Sequence, residues 1–448
     1  MADAGSQKEL YSGGAAGVLY TDRRNFYIDP QSVSELWTDV APFTTMISSM
    51  GTRSTNDPLF KMFEHRNPWI KQYFTHDNGS GATVPNDDTG LQITIHDPGV
   101  ANGVGNAGTA YTSWKGLVIE WWDSTETTKK GVTIVKSGDS LTTMTLKSAS
   151  GSTVVLADDD VGHVIGSAHG EGTESPDAWA DELSVVWNSC QIFKTPLQIT
   201  GTLLQAALRG ESSELERLRL QKNQEHKIQK ERTFLFGKRL GGTGLDLQDG
   251  ATSDSFNDTN RTDSGSNEIR TTYGIIAAIE DYGSSSSADD YQNIFTVDSS
   301  YAYGNFVDDM EKVFQYVPTS GVKRAFCGAG ALGYWSKMSA AANMAGNSGW
   351  TVNLGDMKRD ALGFNYRVLE TPHGMLQLIP TPALRGPYNK YMLCVDDSNL
   401  FHAQYRSPMY QTNIKTDNAF DAVKDQYFSD EGIGVQLIES HNLFKITA

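Results

Sequence analysis

The sequence predicts a mixed α+β protein rich in strands, and three observations carry that expectation. Short alternating segments separated by turn residues follow one another from Gly116 to about Gly166. One stretch without Gly or Pro, Ser213 to Phe236, has the pattern of a single long helix. The last third alternates helical and strand patterns, as an α+β domain does.

Along the chain, residues 1–55 lack a sustained period and carry scattered aromatics, among them Tyr20, Phe26, Trp37 and Phe43. Aromatics without a period cannot build a core of their own, so this segment reads as an arm lying on something else. Residues 56–115 are extended and turn-rich, and only "LQITIH" alternates cleanly as a strand. The segments "GLVIEWW", "GVTIVK", "SLTTMTLK", "TVVLA" and "VGHVIG" then define a small antiparallel β unit over about 116–166. An acidic connector, "SAHGEGTESPDAWADE", leads back into strand-like chain, "LSVVWNSCQIFKTPLQIT".

Ser213 followed by Glu216 is a capping box and sets the start of the long helix. At 1.5 Å per residue the helix to Phe236 would be about 36 Å long. Its apolar positions, Leu215, Leu218, Leu220, Ile228 and Leu235, are too sparse for a full buried face. Glu214 with Arg217, Glu216 with Arg219, and Lys227 with Glu231 stand at i,i+3 or i,i+4 and can brace an exposed surface, each pair contributing about 0.2–0.5 kcal/mol. A polar stretch from Gly237 to Asn267 follows the helix, longer than loops inside compact domains usually are. Beyond it, "TYGIIAAIEDYG", "YAYGNFVDDMEKVFQYV" and "GYWSKMSAAANMAG" read as helices, while "KRAFC", "FNYRVLETPHGMLQLIPTP", "KYMLCVDDSNLFHAQY" and "GIGVQLIESHNLFKIT" carry strands.

The whole chain limits the function classes. Its 448 residues suffice for two or three cores, and 38% hydrophobic residues can fill them. A net charge of −17 argues against a grip on nucleic acid, which needs Lys and Arg to replace phosphate counterions. Cys190, Cys327 and Cys394 are far apart and in no Cys-x-x-Cys spacing, so they read as buried free thiols. The N-terminus lacks a signal-peptide pattern, and no run of 18 apolar residues spans a membrane.

No motif indicates catalysis. "GVGNAG", Gly103 to Gly108, matches the dinucleotide fingerprint, but a β-like segment follows it where the fingerprint needs a helix N-terminus. "FGKRLGG" lacks the spacing of a P-loop, no Gly-x-Ser-x-Gly elbow exists, and His163 and His169 have no metal-ligand spacing around them. Neither a cofactor nor a metal is expected. Trp121 and Trp122 are adjacent on a strand and point to opposite faces, one to the core and one to the surface or a partner.

The order of parts resembles the major capsid proteins of tailed bacteriophages with the Hong Kong 97 type fold. The likeness is strongest in "NSCQIF" leading into the Glu-rich helix that ends Leu-Phe-Gly, and in the C-terminal "LIESHN" strand pair. The resemblance implies an N-terminal arm (1–55), an extended loop (56–189) carrying the β unit as an insertion, and a peripheral domain (190–270) with spine helix 213–236. It further implies an axial domain (271–394) and a return to the peripheral domain (395–448). It would make the spine helix polar because neighbouring subunits cover its flanks, instead of its own chain. Candidate inter-subunit contacts are then Glu214, Glu216, Arg217, Arg219, Lys227 and Glu231 on the helix, Trp121 and Trp122 on the β unit, and Phe26 and Trp37 on the arm.

The function implied is self-assembly, as pentamers and hexamers, into an icosahedral phage head around double-stranded DNA that is enclosed without sequence-specific binding. A separate scaffolding protein, a portal and decoration proteins are the other implied partners, with no membrane, and assembly would take place in the host cytoplasm. The Lys–Asn cross-link of some family members matches no positions here. Two alternatives stay open from the residues: a carbohydrate-binding or adhesion protein, motivated by the Gly, Ser and Asp-rich β unit and the Trp pair, and an encapsulin-type shell.

Overall fold

The computed structural model describes residues 41–64, 73–77, 79–96, 114–140, 142–174, 184–205, 214–239, 267, 269–285, 292–316, 321–344, 354–359, 365–414 and 421–447. Three β assemblies organise them. A four-stranded sheet runs in the order Thr52–Ser54, Leu400–Gln411, Ala422–Val435, Gln191–Thr200, with the first pair parallel and the others antiparallel. A seven-stranded sheet runs in the order Ile294–Val297, Asn442–Ile446, Tyr391–Val395, Val322–Cys327, Met375–Pro380, Asn365–Glu370, Leu354–Arg359. The third assembly is a closed barrel of six strands: Val161–Ser167, Tyr73–His76, Leu91–His96, Thr143–Ser148, Lys129–Ser140 and Leu117–Trp122.

The barrel exists because its strands alternate. Ile93, Ile95, Leu117, Ile119, Trp121, Val135, Met144 and Leu146 are all buried in one cluster, each on the inward side of its strand. A small pair, Ala82–Val84 with Val154–Leu156, adds Ala82, Val84, Val154 and Leu156 to the same core. Closure removes every exposed sheet edge. The expected β unit at 116–166 is thus incomplete by itself. Tyr73–His76 and Leu91–His96 are also staves, pairing with Val161–Ser167 and Thr143–Ser148. The first of these has four residues, too few for a period-2 pattern to stand out.

An antiparallel ribbon, Leu59–Glu64 with Ser184–Ser189, joins the barrel segment to the rest of the chain. Its Phe60, Met62 and Val186 pack with Cys190 and with Phe401 and Ala403 of the four-stranded sheet.

The largest core lies where the long helix, Glu214–Phe236, meets the two open sheets. Phe234 and Leu235 from that helix, Ile275, Ile276 and Ile279 from helix Ile275–Tyr282, and Phe326, Leu393 and Leu443 from the seven-stranded sheet share it. Helix Pro42–Ser49 belongs here too. Its Phe43, Met46 and Ile47 are fully buried, and Phe43 meets Phe326 edge to face at 5.1 Å. The stretch 42–54 therefore packs into this chain's own fold, where an arm lying on something else was expected over 1–55; Pro42 at the first helical position and the 43/46/47 spacing are a short amphipathic helix that eight residues are too few to announce. Residues 1–40, with Phe26 and Trp37, lie outside the described residues.

A further core on the seven-stranded sheet holds Phe306, Met310 and Val313 of helix Tyr303–Val313, and Trp335 of helix Ala329–Met344. Asn442–Ile446 sits inside this sheet, parallel to Ile294–Val297 and antiparallel to Tyr391–Val395. The chain after residue 395 thus divides between the two sheets, where a wholesale return to one was expected. The pairing follows from Leu443, Phe444 and Ile446, all buried, which need cover on both sides.

Trp121 is fully buried, and its Nε1 donates to Thr133 Oγ1 at 2.8 Å. Trp121→Ala is expected to destabilise the barrel by about 3–5 kcal/mol. Hydrogen exchange of the full chain should show the loss in amides of 73–167 and little change in the two open sheets, because the barrel core is separate.

Candidate assembly surface and the helix–sheet joint

The long helix is polar because the stripe it buries is polar. Arg219, His226 and Lys230, separated by seven and four residues, lie on one helical face. Opposite them, Asp425, Tyr427, Ser429 and Glu431 are alternate residues of one strand and share its face. Arg219 donates to Asp425 Oδ2 (3.0 Å) and to Tyr410 OH (2.7 Å), and the Tyr427 hydroxyl donates back to the Arg219 carbonyl (3.1 Å). His226 stands between two hydroxyls, Thr195 Oγ1 at 3.0 Å and Ser429 Oγ at 3.1 Å. Lys230 reaches Glu431 Oε2 at 3.1 Å, with His402 Nε2 at 3.4 Å from the same oxygen.

Charge follows from this geometry. Burial opposes ionisation of Asp425, but the Tyr410 hydroxyl, the Asn413 amide and Arg219 outweigh it and hold the carboxyl below its ordinary value. At Glu431 burial is likewise outweighed, by His402 and Lys230. Burial, aided by Lys230, brings His226 down to about 4, so the imidazole is neutral at pH 7 and uses one nitrogen as donor and one as acceptor.

Glu231 works on a different neighbour. Its carboxylate accepts from Phe43 N (3.2 Å), Thr44 N (2.6 Å) and Thr44 Oγ1 (2.8 Å), capping the N-terminus of helix Pro42–Ser49. Ala41, the residue before that helix, makes no side-chain cap, so the cap comes from 187 residues away. Burial pushes the Glu231 carboxyl up, opposed by these three donors.

These facts correct three expectations about the helix. The proposed Lys227–Glu231 brace does not form, because Glu231 is only 1% exposed and turned into the core while Lys227 is exposed. Arg219 does not brace a free surface but crosses to Asp425 and Tyr410. And the polar stripe of Arg219, His226 and Lys230 is covered by the chain's own sheet. Glu214 and Arg217 do pair, with Arg217 Nε donating to Glu214 Oε2 at 2.9 Å. The helix runs from Glu214, and the expected cap Ser213 lies outside the described residues. What remains outward on the helix is Glu216, Leu220, Lys227, Gln229 and Arg232, with Leu220 67% exposed.

On the barrel, Trp121 points in and Trp122 points out, half-buried, its Nε1 donating to Glu120 Oε2 at 3.3 Å. With one of the two rings in the core, the pair offers no double stacking platform. The three cysteines are buried and free. Among the described residues no group of three or more His, Cys, Asp or Glu could hold a metal ion, and no helix is long and apolar enough to cross a membrane. The Gly103–Gly108 segment lies outside the described residues.

The residues that sequence reasoning missed are the strand partners. "AVKDQYFSDE" carries Asp425, Tyr427, Ser429 and Glu431 at a polar period of two, a strand signal with the polar side buried.

The sequence model of the SU10 major capsid protein matches residues 31–444. The chain belongs to this family of tailed-phage major capsid proteins, as the resemblance in its sequence implied. No curated protein matches it. Among solved structures it is similar to one of Mycobacterium phage Bobi, at 9% identity over 63% of this chain and 80% of that chain, with a TM-score of 0.36. The capsid of Cyanophage P-SCSP1u matches at 7% identity over 63% and 80% of the two chains, with a TM-score of 0.36. The holo-SrpI encapsulin complex from Synechococcus elongatus matches at 8% identity over 60% and 77%, also with a TM-score of 0.36.

Two outcomes are expected of the joint. His226 has a folded value near 4 against 6.5 as its ordinary value, so the unfolded chain binds more protons between those pH values and stability falls as pH drops through that window. The loss should approach about 3 kcal/mol at pH 4, and His226→Gln should flatten the urea-denaturation profile there. Glu231→Ala strands two backbone donors and should destabilise by about 2–4 kcal/mol, with exchange protection lost first in residues 43–50.

Proposed function

We propose that this chain builds an icosahedral phage head, assembling as hexamers and pentamers into a shell that encloses double-stranded DNA. The observation that carries the reading is the family match over residues 31–444. In this reading the four-stranded sheet and long helix form the peripheral body. The seven-stranded sheet forms the axial domain that meets its equivalents around five-fold and six-fold axes, and the barrel stands on the extended loop. Residues 1–40 serve as an arm on a neighbouring subunit, with Phe26 and Trp37 as its anchors.

The −17 charge suits a container that holds its genome without gripping it. Glu214, Glu216, Arg217, Lys227 and Trp122 remain candidates for inter-subunit contact, since none of them is fully buried in the single chain. Arg219, Glu231 and Trp121 serve the chain's own interior and are set aside. A scaffolding protein, a portal and decoration proteins complete the particle, which is assembled in the host cytoplasm.

Negative-stain microscopy of the full-length chain, alone and co-expressed with its scaffolding protein, tests the reading. Closed shells, curved sheets, tubes or five- and six-membered rings are expected. Uniform small particles under both conditions would overturn it. Removing residues 1–30 should reduce shells severely while leaving the melting temperature of the remaining fold nearly unchanged.

A further inference from the structure

The two ends of the seven-stranded sheet carry opposite chemistry. At one end, strand Leu354–Arg359 is the outermost, and it pairs with Asn365–Glu370 so that Met357 faces Arg367 and Arg359 faces Asn365. These four side chains share a face of the hairpin and are all exposed, Met357 at 60%. The face thus offers two guanidiniums around a thioether, with no carboxylate at any of its four positions.

At the other end, strand Ile294–Val297 is outermost, and helix Tyr303–Val313 follows it. Between them lies a cavity of about 210 Å³ lined by Gln292, Asp298, Ser300, Tyr301, Asn305 and Asp309, among others. Tyr301 donates its hydroxyl to Asp309 Oδ2 at 2.5 Å, while Lys312 gives its ammonium to Gln292 Oε1 at 2.8 Å. Asp308 and Glu311 are exposed on the same helix. Burial pushes the Asp309 carboxyl up, and Tyr301 and Lys312 offset this only in part. A second positive charge would complete the site.

The two features are separated by six inter-strand spacings, about 29 Å. They cannot meet within one copy, so each must engage a different neighbour. An interface between unlike patches is heterologous, and its repetition gives a ring where the rotation closes and a filament where it does not.

We propose, resting on the assembly reading above, that copies of this chain join head to tail across the seven-stranded sheet, the Met357–Arg359–Arg367 face of one copy seating in the Asp298–Asp309 socket of the next. The thioether lies beside the half-buried ring of Tyr301. The guanidiniums meet Asp298 and Asp309, with planar two-pronged geometry that lysine would not supply. The occupant is a second copy because the complementary charges are both presented by this chain.

The test is a charge swap in the full-length protein. Arg359→Glu with Arg367→Glu, and separately Asp298→Lys with Asp309→Asn, should each lower the assembled fraction at least about tenfold by sedimentation velocity and electron microscopy. The chain carrying all four substitutions should recover assembly. Mixing the two single-edge variants should also recover it, but only as alternating, even-numbered rings, so that tubes or flat sheets replace closed shells. Arg359→Gln with Arg367→Gln, at exposed positions, should keep the melting temperature and still weaken assembly several-fold. Wild-type yields from the glutamate or glutamine variants, or no recovery in the four-fold swap, would overturn the interface. A wild-type chain that forms no rings or shells would instead overturn the assembly reading.

Discussion

The structure depends on a polar joint. A helix of 23 residues, Glu214–Phe236, lies on a sheet through Arg219, His226 and Lys230, and each meets a partner fixed by the two-residue period of strand Ala422–Val435. Buried carboxylates such as Asp425 and Glu431, both 0% exposed, are tolerable only when paired. Sliding the helix by one turn, or the strand by one residue, would leave at least one charge alone in the interior. Apolar packing would hold the same elements together with less demand on register. Register in turn fixes where Glu231 reaches helix Pro42–Ser49 and where Phe234 and Leu235 enter the main core.

Much of the fold was legible because its elements are periodic. The four barrel strands from 117 to 167, the long helix and the three later helices all announce themselves through alternation or 3.6-residue spacing. What stayed hidden is short or contextual. Helix Pro42–Ser49 and strand Tyr73–His76 are too brief for a period, and their stability comes from cover supplied by remote residues. The joint was misread for a different reason. Spacing along the helix identified which charged residues could pair locally, yet packing against the sheet for Arg219 and against helix Pro42–Ser49 for Glu231 gave each a remote partner in place of the near one. No single-element pattern carries that information.

The barrel and the open sheets solve the edge problem differently. The barrel closes on itself, so its backbone offers no partner a template. Among the described residues the seven-stranded sheet has two outermost strands, with arginines on the hairpin at one end and carboxylates beside the other. The outermost strand of the four-stranded sheet, Gln191–Thr200, carries Pro196 and Lys194, which blunt it as an aggregation site. Charge and proline of this kind keep an outer strand from pairing with other chains in the wrong geometry.

The placement of Asn442–Ile446 between Ile294–Val297 and Tyr391–Val395 has a consequence in time. Strand Ile294–Val297 has no place in the sheet until the strand some 150 residues downstream has been synthesised. At about 5–20 residues per second, that is a delay of roughly 7–30 s on the ribosome. During it the nascent chain lacks the rigid platform that sets its two charged ends a fixed distance apart. Synthesis of Asn442–Ile446 thereby acts as a timer, and a chain that has not yet reached it cannot present the two ends as a fixed pair.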